Sequence, residues 1–106
     1  MMRSVVFEAP GVVSVEQHAV PDLGPTDVLI RVDACGVCGS DLSSFAHGHY
    51  IEPGQVMGHE IAGTVAAVGG DLVGVGVGES VAVRPMRSCG ECPYCSDGDT
   101  HLCDNT

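Results

Sequence analysis

Lysine and tryptophan are missing from this chain, and its 4 basic residues, all arginine, stand against 14 acidic ones. A formal charge of −10 repels phosphate backbones and anionic lipid, which argues against nucleic acid or a membrane surface as partner. Aromatics are scarce: Phe7, Phe45, Tyr50 and Tyr94 are all there are. A core must therefore be built from Val, Ile, Leu and Ala. No run of about 18 apolar residues occurs, so no helical membrane span is expected. Residues 1–8 hold no apolar stretch of signal-peptide length. The expectation is a cytoplasmic protein.

What is present in quantity is glycine, valine and cysteine. The 106 residues suffice for one small domain, a size at which burial alone is marginal and a structural metal adds stability. Six cysteines in a cytoplasmic chain indicate metal binding or catalysis before disulfides.

Residues 3–8 and 12–18 read as short strands around Ala9-Pro10-Gly11, the second with clear alternation. Pro21, Gly24 and Pro25 mark a loop. Residues 27–34 give the clearest strand, with Val28, Ile30 and Val32 on one face. After the Cys35–Gly39 turn, Ser40 or Asp41 is expected to cap a short helix through Phe45. Residues 46–58 read as loop, 60–68 and 80–84 as strands. Cys35 is expected to be a small buried residue and His18 a solvated one. Gly74-Val75-Gly76-Val77-Gly78 imitates a dinucleotide loop, but its spacing is not G-x-G-x-x-G and a strand follows, so it reads as plain loop.

Residues 85–106 differ in kind: they hold four of the six cysteines and few apolar side chains. Such a segment cannot form a core, so something else must fix it. Cys89, Cys92, Cys95 and Cys103 offer four soft ligands with x2, x2, x7 spacing, which suits a closed, tetrahedral, structural zinc site. Free thiols, disulfides, an iron–sulfur cluster, or His101 in place of one Cys are the alternatives.

Cys38, His59 and Glu60 form a second constellation, at the end of one strand and the start of the next. A catalytic zinc takes about three protein ligands and leaves one position open. A thiolate and an imidazole supply two. Glu60 is a third ligand, a transient one, or a nearby charge. From residue types alone, a Cys and a His at strand ends are more often structural.

Taken together, these blocks resemble the medium-chain dehydrogenase/reductase superfamily, in its zinc-containing alcohol/polyol dehydrogenase branch. The carrying residues are Cys35-Gly36-Val37-Cys38-Gly39-Ser40-Asp41, then Gly58-His59-Glu60-Ile61-Ala62-Gly63-Thr64-Val65, then Val68-Gly69 and Gly78-Glu79-Ser80-Val81. Cys89-Gly90-Glu91-Cys92-Pro93-Tyr94-Cys95, Gly98 and Cys103 follow. The resemblance covers essentially the whole chain. It implies a mainly β, GroES-like, partly open barrel with a short helix and a cysteine-rich zinc lobe over 85–106.

The resemblance also implies roles. Cys38 and His59 look like catalytic zinc ligands, with Glu60 the acidic neighbour that approaches the metal. Asp41 resembles the carboxylate that orients His59. Ser40 resembles the hydroxyl that bonds the substrate alcohol and starts a proton relay. Cys89, Cys92, Cys95 and Cys103 match the structural zinc. The implied reaction is oxidation of a small-molecule alcohol or polyol to an aldehyde or ketone, with NAD or NADP taking the hydride.

Two departures stand out. Where many relatives end the proton relay with His, this chain has Ser43, which leaves the exit to His47, to His49, or to neither. Relatives are also much longer, and the resemblance implies that their nucleotide-binding domain and remaining catalytic zinc ligand lie beyond the stretch that this sequence matches. The segment alone is therefore expected to be inactive, and the full-length parent suits a homo-oligomer. The competing reading is a non-enzymatic, zinc-stabilised GroES-like binding module.

Overall fold

Turn chemistry sets where the chain reverses. In the computed structural model, which describes residues 1–105, Gly11 takes φ +78°, a left-handed conformation open to glycine at no steric cost. It joins β1 (Met2–Ala9) to β2 (Val12–His18), which pair antiparallel from Met2↔His18 to Ala9↔Val12. β3 (Val28–Gly36) pairs with β4 (Glu60–Val68), and β4 pairs with β5 (Ser80–Ala82), both antiparallel. A short helix, α1 (Gly39–His47), crosses between β3 and β4. α2 (Pro93–Ser96) and a 3-10 turn (Thr100–Leu102) shape the cysteine segment. The architecture is mainly β, in a two-stranded and a three-stranded sheet.

β1 is flanked on its other side by residues 54–57. Phe7 N–H donates to the Gln55 carbonyl at 2.9 Å, Gly54 N–H to the Phe7 carbonyl at 2.8 Å, and Met57 N–H to the Val5 carbonyl at 2.8 Å. Part of the expected 46–58 loop thus serves as backbone partner to a strand about fifty residues earlier, a non-local pairing that local pattern cannot reveal. α1 also runs to His47 rather than Phe45, and Gly48 ends it at φ +72°. Its N-cap is Cys38, not Ser40 or Asp41. Cys38 is extended, and Asp41 at the third helical position reaches back so that Oδ2 accepts the Cys38 N–H at 2.9 Å.

The core is small. Val6, Phe7, Val65 and Cys92 are the buried apolar residues. The strand carrying the Val28, Ile30, Val32 row forms as expected, and the row is largely open to solvent: Val32 is 54% exposed. The β3–β4 pairing is irregular at two points: Ala66 is the extra residue on β4 between the Leu29 and Ile30 pairs, and Asp33 is the extra residue on β3 after Val32. Cys35 is exposed rather than buried. The reverse holds for His18: its Nε2 is buried without a protein partner, as are the hydroxyls of Ser4 and Ser14. All three belong to the same face of the β1–β2 hairpin, by the Met2↔His18, Ser4↔Glu16 and Val6↔Ser14 register.

The chain is splayed for its size. Its radius of gyration is 15.7 Å, where a compact domain of this length has about 13 Å. Its accessible surface is 7427 Å², where a folded monomer of this mass exposes about 5,600 Å². The sheet faces are therefore only partly covered by this chain's own side chains. No described helix is long and apolar enough to cross a membrane.

Candidate metal and substrate sites

β4 brings the sites into register. Gly63 is buried against β3, where a Cβ would run into the Arg31 carbonyl oxygen and the Ile30 side chain, so only glycine lets the strands approach. β4 then delivers His59 and Glu60 beside the end of β3, across from Gly36. Gly58, at φ +108°, makes the turn that precedes them.

Cys38 and His59 meet at this corner. Hydrogen bonds from the Ser40 hydroxyl and the Ser40 backbone, with a smaller contribution from His59, hold the Cys38 thiol below its ordinary range. The Cys38 contact raises the His59 pKa, opposed by burial and assisted by the charges of Asp41, Cys38 and Glu60. The two groups thus favour a thiolate and an imidazolium. Asp41 uses both oxygens: Oδ2 caps α1, and Oδ1 lies 3.5 Å from His59 Nδ1. That leaves His59 Nε2 for a ligand. Glu60 sits across Gly36, with its Oε2 3.1 Å from where a Gly36 Cβ would be.

A cavity of about 430 Å³ opens beside this corner. Ser40, Asp41 and His59 line it with Ser44, Tyr50, Ile51 and Met57. The size suits a small organic molecule. Ser44, which sequence reasoning passed over, follows Ser40 by four residues and so shares its helical face. Tyr50 stands at the cavity with φ +61°, fully exposed, a conformation that side chains other than Gly rarely adopt.

The cysteine segment forms the second site. The ligand sulfurs of Cys89, Cys92, Cys95 and Cys103 all lie within 4.8 Å of one another. The Cys89 and Cys95 sulfurs are 3.9 Å apart. Zn–S bonds of about 2.3 Å in a tetrahedron place sulfurs about 3.8 Å apart, close to the spacing of this cluster, so these residues fit zinc. Among the described residues, this is the group of three or more ligand side chains that closes to such a distance. Cys38, His59 and Glu60 do not close in this way.

Local structure aims the sulfurs. Pro93 starts α2, and Cys92 caps it, its sulfur accepting the Cys95 N–H at 3.4 Å. Cys89 Sγ accepts N–H groups of Cys92 at 3.2 Å and Glu91 at 3.4 Å; Cys103 Sγ accepts those of Cys89 and Asn105, each at 3.3 Å. The Glu91 and Cys92 amides hold the Cys89 thiol down to about 6. Hydrogen bonds from the Asp104 and Cys95 backbone lower Cys92. Burial pushes Cys95 up to about 12, and its three sulfur neighbours push the same way. This is the pattern of an anion-crowded cluster: the first thiolates form readily, and the next is suppressed until a cation joins them. Arg84 ties the lobe to the strand region, both guanidinium NH2 groups lying 3.3 Å from the Thr100 hydroxyl.

Comparison with known proteins agrees with this geometry. The family model "Alcohol dehydrogenase GroES-like domain" matches residues 24–106. The sorbitol dehydrogenase of Bacillus subtilis is 39% identical over 96% of this chain and 30% of its own length. The L-threonine 3-dehydrogenase of Pyrococcus abyssi is 43% identical over 82% of this chain and 26% of its own length. Among solved structures, alcohol dehydrogenase TADH from Thermus sp. ATN1 superposes with a TM-score of 0.86 at 40% identity, over 97% of this chain and 30% of that one. The chain spans about 30% of the length of such relatives.

Proposed function

The chain belongs to the alcohol dehydrogenase GroES-like domain family, and from that membership we propose that it forms the substrate- and zinc-binding part of a zinc-dependent NAD(P) oxidoreductase acting on an alcohol or polyol. The observation that carries the proposal is a cavity of small-molecule size lined by Ser40, Asp41 and His59, with Cys38 in contact with Ser40 and His59. Four-cysteine closure further along the chain supports a separate, structural zinc.

Cys38 and His59 would hold the catalytic zinc, with Glu60 or a group outside this chain completing the set. Bound there, zinc would supply Lewis-acid polarisation of the alcohol oxygen, and a nicotinamide cofactor would supply the hydride-accepting chemistry. The chain's own residues do the rest. The Cys38 thiol is already biased toward the thiolate a metal needs. His59 is biased toward imidazolium, so metal binding at this corner displaces a proton. Asp41 fixes the His59 ring from behind while anchoring α1, so one carboxylate sets both helix start and ligand orientation. Ser40 presents a hydroxyl to the substrate oxygen. The net charge of −10 suits a neutral alcohol better than an anionic one.

The uncovered sheet faces suit a chain that packs against the rest of a longer enzyme. Incubated with NAD or NADP and a panel of alcohols, residues 1–106 alone should yield no reduced cofactor, while the full-length enzyme should. Cys38→Ser in the full-length enzyme should abolish turnover and leave the fold intact. Turnover unaffected by that substitution would defeat the proposal. Elemental analysis of the isolated chain should find about one tightly held zinc.

A further inference from the structure

The C-terminal turn of α1 carries two metal-binding side chains that belong to neither site described above. His47 closes the helix, Gly48 caps it at φ +72°, and His49 follows. Both histidines are exposed. Their ring centroids are 5.3 Å apart. An imidazole nitrogen binds zinc at about 2.0–2.1 Å, which puts the ring centre about 3.2 Å from the ion. Two such rings at the tetrahedral angle have centres about 5.2 Å apart. At a right angle, as in square-planar or octahedral sites, the centres are about 4.5 Å apart. The spacing of this pair matches the tetrahedral case.

His49 also has the support that a ligating histidine needs. Its Nδ1 lies 2.9 Å from the Ser43 hydroxyl. In the tautomer with Nδ1–H donating to Ser43, Nε2 keeps its lone pair for a metal, and the bond orients the ring. The backbone around the pair is tied down as well. Gly48 N–H donates to the Ser44 carbonyl at 2.8 Å, and the Ser44 hydroxyl donates to the His49 carbonyl at 2.7 Å. An ion arriving here therefore has little to order besides two side chains. Arg3, Arg31, Arg84 and Arg87 all lie outside α1 and this turn, and the chain's charge of −10 draws cations toward it.

We propose that His47 and His49 together bind a zinc ion, with water in the two remaining tetrahedral positions. Imidazole is a ligand for zinc, copper and nickel alike, and the spacing selects the ion that prefers a tetrahedron. Two protein ligands and two open positions make an exchangeable site, unlike the closed four-cysteine lobe. It uses neither Cys38 nor His59, so it stands apart from the dehydrogenase reading. Its neighbours Ser44 and Tyr50 line the cavity, so the site adjoins the cavity without lining it.

The test uses the 106-residue chain with its four-cysteine lobe already loaded, and zinc as the probe. Nitrogen-15 NMR of the imidazoles should show His47 and His49 shifting together, with half-saturation below about 1 mM free zinc. His47→Ala should abolish the response of His49 in that range, and His49→Ala that of His47, because the two share one ion. Both side chains are exposed, so neither substitution removes a buried contact. Ser43→Ala should weaken binding by about 10-fold, the low end for losing a partner that orients a ligand. Ser43→Thr should restore it. His101→Ala, at an exposed histidine of the cysteine segment, should change nothing. A response at either histidine that survives loss of the other overturns the proposal. So does zinc that shifts only His59 at the Cys38 corner, or no response at His47 and His49 up to about 1 mM.

Discussion

Replacing Cys92 with serine probes the lobe at its most revealing point. Cys92 is buried, at 8% exposure. Its sulfur belongs to the closed four-ligand group, and it also caps α2 by accepting the Cys95 N–H. Structural zinc in small domains contributes an apparent 10–16 kcal/mol of folding free energy, so one ligand in four is worth about 3 kcal/mol. That corresponds to about two decades in zinc affinity. Serine keeps the cap but offers a hydroxyl too weakly acidic to ligate. Competition with a chromophoric chelator should therefore show zinc affinity lower by about 10²-fold, and amide resonances of residues 89–103 should collapse toward random-coil shifts. Cys38→Ser, in the other site, should change neither readout. Wild-type zinc affinity in Cys92→Ser, or equal losses in both variants, would refute the division into a closed lobe and an open site.

Other expectations concern packing and protonation. Phe7 is 2% exposed and the largest buried side chain; Phe7→Ala should cost about 3–5 kcal/mol by urea denaturation, enough to unfold the isolated chain. Gly63→Ala places a Cβ against the Arg31 backbone and should cost about 1–3 kcal/mol, visible as lost β3–β4 amide protection. In the metal-free chain, Cys89 contributes order that is complete above its ordinary value of 9.0 and lost as pH falls through about 6. Cys95 contributes order that is complete below 9.0 and lost as pH rises through about 12. The metal-free lobe should therefore be best ordered near pH 9 and fray in both directions, measured by hydrogen exchange of residues 89–103. Order that keeps increasing down to pH 5 would contradict those shifts.

Much of the site was legible because its signals are local. Two Cys-x2-Cys steps around a helix-starting proline put sulfurs on one side of the chain whatever surrounds them. The β2 boundaries follow from alternation and the Pro10-Gly11 turn, and β4 from a Val- and Ala-rich run ended by Gly69-Gly70. The misreadings come from contacts that residue pattern alone does not show. Cys38 capped the helix because Asp41 bends back to it, a reciprocal bond that neither residue announces alone. His18 changed environment because hairpin pairing turned it inward beside Ser4 and Ser14.

Sequence alone determined which atoms are available: four clustered thiols, a separate Cys and His, a serine near a helix start, and a surface hostile to phosphate. Ligand identity and spacing are covalent facts, so they survive without knowledge of the fold. Tertiary structure alone decided which of those atoms meet. It brought Cys38 and His59, 21 positions apart, to one corner across paired strands, and it closed the four cysteines while leaving Cys38, His59 and Glu60 open. It also turned His49 back onto Ser43 through a left-handed glycine cap. The meeting of Cys38 and His59 depends on strand register, which arises from packing between distant segments and not from the order of residues within either of them.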